Sequence, residues 1–406
     1  MNSHNLLLVQ GGGPTQVLNA TLASILKECR EHTTIGKIYG ARSGVAGLSA
    51  GNVVELTSLP EKHLRELRIS PGAALGSSRS CPSEEEYRAI CEHLRRLDIG
   101  QALFLGGNGT MYGAQMLAAR CREAGLPLRV IGVPKTVDND LTETDRCPGY
   151  GSAARYVAQS TRDLGMDLRS LPQPVTIFET MGREAGWLAA ASGVGKADAD
   201  DAPHLVYVPE RAFSVERFLA ALERVVTRIG WAVVIVSEGI RDAVGAMVYQ
   251  LGDPSRADAL QRPLTGGVGQ HLAGVVAEHL KIRCRSETPG LLGRCSMLHV
   301  SAQDMRDAET VGRNAVRALT EGHDGRMVAL LPLQPQHEAH AVEESQTRLV
   351  PLDAVAGKHR PIPAEWLTDS ETAVNEKFLA YVRPQIGELL RYAGPLQTIY
   401  ETHGVF

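Results

Sequence analysis

Residues 5–15 read NLLLVQGGGPT. The run from Leu6 to Val9 is wholly apolar, and three glycines follow Gln10 at once. A short apolar run that does not alternate with polar residues reads as a strand buried on both faces. The glycines read as a tight loop, and a helical pattern then runs to about Arg30. The same design recurs along the chain. ALFL at 102–105 precedes GGNGT and a helix, and Leu128 to Val133 leads into PKTVDND at 134–140. Val175 to Phe178 precedes MGREAGWLAAA, which reads as a helix opened by Met181, Gly182 and Arg183. Leu205 to Val208 and Ala232 to Val236 are further strands, with a helix near Val215 to Arg228 between them. Strand, loop and helix in this order are βαβ units, so the class is α/β with largely parallel sheets flanked by helices. In such sheets ligands sit at the carboxyl ends of the strands, where all the polar loops fall.

The chain has 406 residues, which favours two to three domains. A crossing between domains fits near Pro148 to Gly151, where the pattern of motifs changes. Charged residues make up 22% and hydrophobic ones 43%, which excludes wholesale disorder. With 42 Lys and Arg against 46 Asp and Glu the net charge is -4, so no nucleic-acid or membrane-surface partner is expected. The start offers about five apolar residues, too few for a signal peptide, and no window approaches the ~18 of a membrane span. Seven cysteines, an odd count without C-x-x-C spacing, suit reduced thiols in the cytoplasm without structural zinc. Pro332 to Gln346 is the most loop-like stretch. It contains His337 and His340, whose i, i+3 spacing lacks companion ligands.

The loops carry the chemistry. Gly11, Gly12 and Gly13 let backbone amides approach an anion, and a plain tight turn is the alternative. The spacing is neither a dinucleotide fingerprint, since the third glycine position is Gln16, nor a Walker A loop. Gly106, Gly107, Asn108, Gly109 and Thr110 repeat the design, with a neutral oxygen at Asn108 for a cation and a hydroxyl at Thr110 for a phosphate. Gly76-Ser77-Ser78-Arg79 adds a guanidinium. In the segment 134–140, Lys135, Thr136, Asp138, Asn139 and Asp140 stand within seven residues. Two carboxylates two apart share a face of an extended chain. An Asx-rich turn is the bland reading. The chemical one gives one carboxylate to a divalent metal and the other to a substrate hydroxyl, the parts that phosphoryl transfer needs. Glu238 closes a later strand, and Arg285 and Arg294 lie in a basic stretch.

These motifs, in this order, resemble the phosphofructokinase family, and more closely its diphosphate-dependent branch. The shared landmarks run from GGGPTQVLNA through YGARSGVAGL, SPGAALGSSR, GGNGT, PKTVDND, TDRCPGYGSAARY, ETMGREAGWLAAAS, APHLVYVPE and VSEGI to PIPAEWL. The resemblance implies two Rossmann-like domains. One, 1–149 plus about 293–368, would take the phosphoryl donor; the other, 150–292 plus about 369–406, would take the sugar phosphate. It implies transfer of a phosphoryl group from ATP or diphosphate to the 1-hydroxyl of fructose 6-phosphate, with Mg²⁺ as cofactor. Asp138 would accept the hydroxyl proton, beside Thr136 and Lys135. Gly12, Gly13, Arg79, Gly107, Asn108, Gly109 and Thr110 would bind the donor phosphates, with Gly12 offering its amide to the transferred group. Asp140 and Asn108 would hold the metal. Asp140, Met181, Gly182, Arg183 and Glu238 would line the acceptor site. Arg285 and Arg294 would grip the acceptor's own phosphate, one of them from a neighbouring subunit, so a homodimer or homotetramer is implied.

Three features depart from the pattern. The diphosphate branch carries Asp where this chain has Gly109, and glycine there is the habit of ATP users. Lys135 is the diphosphate-type residue, so the donor is split between the two. Gly293 replaces a glutamine beside Arg294, and Leu291 replaces an aromatic residue or His. Pro174 stands where ATP-type relatives use arginine. The last two thin the phosphate grip and leave room for another sugar phosphate as acceptor, or for a catalytically weak regulatory paralogue.

Overall fold

The computed structural model describes residues 4–170, 175–250, 265–333, 345–369 and 372–392. Pro174, His337 and His340 lie outside them.

The described residues include eleven strands in two sheets. The larger contains β1 (His4–Gln10), β2 (Ile35–Ala41), β3 (Val53–Glu55), β4 (Ile99–Gly106), β5 (Arg129–Pro134), β10 (Arg326–Leu330) and β11 (Thr347–Pro351). The smaller contains β6 (Val175–Thr180), β7 (Leu205–Tyr207), β8 (Ala232–Ser237) and β9 (Cys284–Glu287). Their orders are β11-β10-β5-β4-β1-β2-β3 and β7-β8-β6-β9. All these pairs are parallel except the two at the edges of the larger sheet, β10 with β11 and β2 with β3.

The apolar strands are covered on both faces. Leu6 and Leu8 point to one core with Leu103, Leu105, Ile131 and the helices Leu18–Cys29 and Ala302–Thr320. Leu7 and Val9 point to the other, with Ala102, Phe104 and Val130. The smaller sheet repeats this. Ile177 and Val234 face one core, and Phe178, Val233 and Ile235 face the other. The central strands of both sheets are therefore unbroken apolar runs, and the polar loops begin at their carboxyl ends.

The helix expected after the first glycine loop is Leu18–Cys29. One helix expectation needs correction: Met181, Gly182 and Arg183 do not open a helix, because Gly182 has φ 128° and helical backbone starts only at Trp187. By contrast Gly107 is the N-cap of the helix Asn108–Glu123, so the second loop does end on helix amides.

Candidate active site

The carboxyl ends of β1, β4 and β5 open into one cleft. Its lining includes Gly11, Gly12, Gly13, Arg79, Gly107, Asn108, Gly109, Thr110, Lys135, Thr136, Asp138, Asp140 and Arg183. Residues expected at the donor and catalytic positions thus come together.

The two glycine loops interlock. A Cβ on Gly11 would lie 2.4 Å from Thr110 Oγ1, and one on Gly106 2.2 Å from the same atom, so Thr110 fits only against bare backbone. Gly12 has φ 73° and donates its amide to Ser78 O at 3.1 Å. The amide expected to serve the transferred phosphate is therefore used to hold the Ser78–Arg79 segment beside the loop. Three cations surround the loop instead. Lys135 Nζ donates to Gly13 O and stands 3.5 Å from the Cβ position of Gly12. A Cβ on Gly13 would lie 2.6 Å from an Arg294 guanidinium nitrogen and 3.7 Å from one of Arg79. Burial pushes Lys135 down to about 8, helped by Arg294 and Arg79, while Asp138 opposes the shift. Burial likewise lowers Arg294, with Arg79 adding to it.

The 134–140 loop is not extended. Asn139 is left-handed at φ 52°, so the carboxylates are set by a turn and not by strand alternation. The Thr136 hydroxyl accepts from the Asp138 amide at 3.1 Å and donates to Asp140 Oδ1 at 3.2 Å. Burial raises Asp138 to about 7, and the Asp140 and Glu238 carboxylates push in the same direction. Lys135 and Arg79 pull it back only in part. A carboxylate poised near neutrality is suited to take a proton at physiological pH.

Asp140 Oδ2 contacts His359 Nδ1 at 2.9 Å and Asn108 Nδ2 at 3.2 Å. The Asn108 oxygen instead accepts from the Gly109 amide at 2.8 Å. Among the described residues no cluster of three or more His, Cys, Asp and Glu is placed to hold a metal. One carboxylate facing an anion pocket is nevertheless a donor set that suits Mg²⁺, which takes few protein oxygens and completes its shell with phosphates and water. Asp140 fits that part; Asn108 fits it only after its amide turns over.

On the other wall, Gly182 N donates to Glu238 Oε1 at 3.3 Å, and a Cβ on Gly182 would lie 2.5 Å from Ala185 O. Met181 packs against the Trp187 core. Arg285 is not part of the cleft lining. It stands exposed on β9, the edge strand next to β6.

A family profile described as phosphofructokinase matches residues 5–319. The chain belongs to the phosphofructokinase family. Its relatives include several named for diphosphate: the pyrophosphate–fructose 6-phosphate 1-phosphotransferase of Xanthomonas campestris is 36% identical, over 95% of this chain and 92% of its own. A sulfofructose kinase of Alkalicoccus urumqiensis is 35% identical, over 90% of this chain and 92% of its own. The crystal structure of a pyrophosphate-dependent phosphofructokinase from Marinobacter aquaeolei superposes with a TM-score of 0.81 at 29% identity, covering 97% of this chain and 94% of that one. The protein is accordingly a phosphotransferase built on two largely parallel sheets flanked by helices.

His359 is the site residue that sequence reading missed. Its contact with Asp140 spans 219 positions, and nothing local in GKHRPIP marks it. Ser80, Val45 and Glu184 also line the cleft, with no role assigned to them from the sequence.

Proposed function

We propose that the chain transfers the terminal phosphoryl group of ATP to the 1-hydroxyl of fructose 6-phosphate. The observation that carries the chemistry is Asp138, a carboxylate raised to about 7 in a cleft that it shares with Lys135, Arg79 and Arg294. Asp138 accepts the hydroxyl proton as the sugar oxygen attacks phosphorus and the bond to the leaving phosphate oxygen breaks. The three cations neutralise charge on the moving group, where preorganised charge acts most strongly. Asp140 would hold Mg²⁺, which when bound supplies positive charge to the donor phosphates. Met181, Gly182, Arg183 and Glu238 are assigned to the sugar.

ATP as donor rests on Gly109 and Gly113. They stand four apart in one helix, hence on one face, and both line the cleft. A Cβ on Gly113 would meet nothing within 4 Å. Val45 and Ser80 line the same cleft, and the bare face leaves room there for a nucleoside. Diphosphate is the second reading, favoured by Lys135 beneath the first glycine loop and by the donor named for the relatives above. For the acceptor, the second reading is a sugar with a less highly charged head group, as in the relative named sulfofructose kinase; it rests on Leu291, an apolar side chain 64% exposed close to Arg294. Arg285 on the open edge of β9 is assigned to the acceptor site of a neighbouring copy, in a cytoplasmic homodimer or homotetramer.

The test is an activity matrix with purified protein: ATP and diphosphate against fructose 6-phosphate, 6-deoxy-6-sulfofructose and other ketose phosphates. ATP with fructose 6-phosphate is expected to give the highest kcat/KM. No turnover in any cell, with substrate still bound, would leave a regulatory paralogue.

A further inference from the structure

The cleft is assembled from loops that follow different strands in two sheets, and one segment far along the chain ties several of them together. Gly357 N donates to Asn108 O at 3.4 Å, and Arg360 N to Asp140 O at 2.8 Å. Ile362 N donates to Glu210 Oε1 at 3.0 Å, and that carboxylate also accepts from Gly186 N in the acceptor loop.

Arg360 is the centre of this strap. Its Nε and Nη2 both donate to Asn139 O, at 3.3 and 3.0 Å. Its Nη1 donates to Thr144 O at 2.8 Å and to Asp145 O at 2.5 Å. Nη2 reaches the Tyr381 hydroxyl at 3.4 Å. The guanidinium lies 4.6 Å from the centre of the Trp187 ring, and Trp187 Nε1 donates to Arg360 O at 3.0 Å. None of these side-chain bonds goes to a carboxylate, so the fork is spent on fixing backbone. What it fixes is the carbonyl of Asn139, the left-handed residue between Asp138 and Asp140. A non-glycine residue keeps such a conformation only where its surroundings over-determine it. A planar five-donor fork can do that, whereas an ammonium cannot reproduce it. Tyr381 completes the cage, accepting from Asn139 Nδ2 at 2.8 Å and donating to Asp145 O at 2.6 Å.

We propose that Arg360 is a positioning residue for phosphoryl transfer: it locks the Asn139 turn that presents Asp138, and through Trp187 it couples that turn to the acceptor loop. It acts without touching either substrate. The proposal rests on the reading of Asp138 as the base.

Arg360→Lys is assayed per folded protein, with the donor and acceptor that the wild type uses. A small misplacement of a reacting group costs about 10²-fold, so kcat should fall by about that factor while both KM values stay within about threefold. In an Asp138→Asn background the same change should cost less than about threefold, because the geometry it protects no longer serves a base. Wild-type kcat in Arg360→Lys, or a loss that multiplies fully in the Asp138→Asn background, would overturn the proposal. Should Arg360→Lys fail to fold, Tyr381→Phe removes one hydroxyl from the cage. A fall in kcat of about tenfold at constant KM supports the proposal there, and wild-type kcat overturns it. Asp138→Asn alone is run beside them: wild-type turnover in it refutes the base, while Arg360→Lys still reports whether the turn limits kcat.

Discussion

Lys135, Arg79 and Arg294 surround Gly12 and Gly13 within a single chain, whereas Arg285 stands exposed on an edge strand away from its own cleft. The donor side has its cations in place and held by backbone: Lys135 on Gly13 O, and Arg79 next to Ser78, whose carbonyl takes the Gly12 amide. The acceptor side has a rigid wall, with Gly182 on Glu238 and Gly186 on Glu210, but its far cation is open to solvent. The contrast teaches that the cations proposed for the phosphoryl donor all come from one chain. With Arg285 assigned to a neighbouring copy, as proposed above, the grip on the acceptor's head group would call on a second copy. The neighbours of Arg294, Gly13 and Arg79, support our proposal that it serves the phosphoryl group in transit and not the acceptor's own phosphate.

Removal of the base should have the largest effect on this picture. Asp138→Asn keeps the shape and loses the proton acceptor, so kcat should fall about 10²–10⁴-fold, with acceptor KM little changed. Steady-state rates with each substrate varied check this.

Gly109→Asp comes next. A carboxylate about 4 Å from a donor phosphate costs on the order of 4 kcal/mol at an effective dielectric near 20. Use of ATP should fall by up to about 10³-fold, and diphosphate should be spared. The ratio of kcat/KM for the two donors measures it; an unchanged ratio would place donor choice elsewhere.

The two arginines sharpen the comparison directly. A charge-assisted contact contributes about 1.5–3 kcal/mol. Arg294→Ala should therefore lower kcat and raise donor KM, together by about 10–100-fold. Arg285→Ala should raise acceptor KM by about tenfold and leave donor KM alone. If both variants disturb only the acceptor, Arg294 belongs on that side and the contrast between the two halves fails.

Much of this was legible in the sequence because it is local. NLLLVQ, ALFL and AVVIV are apolar without alternation, which is how strands of a doubly covered parallel sheet read. The loops that follow them carry the cleft. The short strands β3 and β9 were not legible, since VVE and CRSE are too brief and too polar to stand out. β10 and β11 also escaped, although they complete the larger sheet. Left-handed backbone at Gly182 and Asn139 overrode the readings of a helix and of an extended pair. His359 and Arg360 were invisible for a different reason: they reach Asp140 and Asn139 across more than two hundred residues, and no spacing rule extends that far.

The measurement closest to the central claim is the pH dependence of the rate at donor and acceptor concentrations well below KM, which reports the ionisation of the free enzyme. Asp138 must be unprotonated to accept the hydroxyl proton, and burial with two neighbouring carboxylates raises it to about 7. Activity should therefore be full above that pH and fall tenfold per unit below it. The acid limb should be absent from the residual activity of Asp138→Asn. An acid limb near pH 7 that survives in Asp138→Asn would contradict the account, because another group would then be taking the proton.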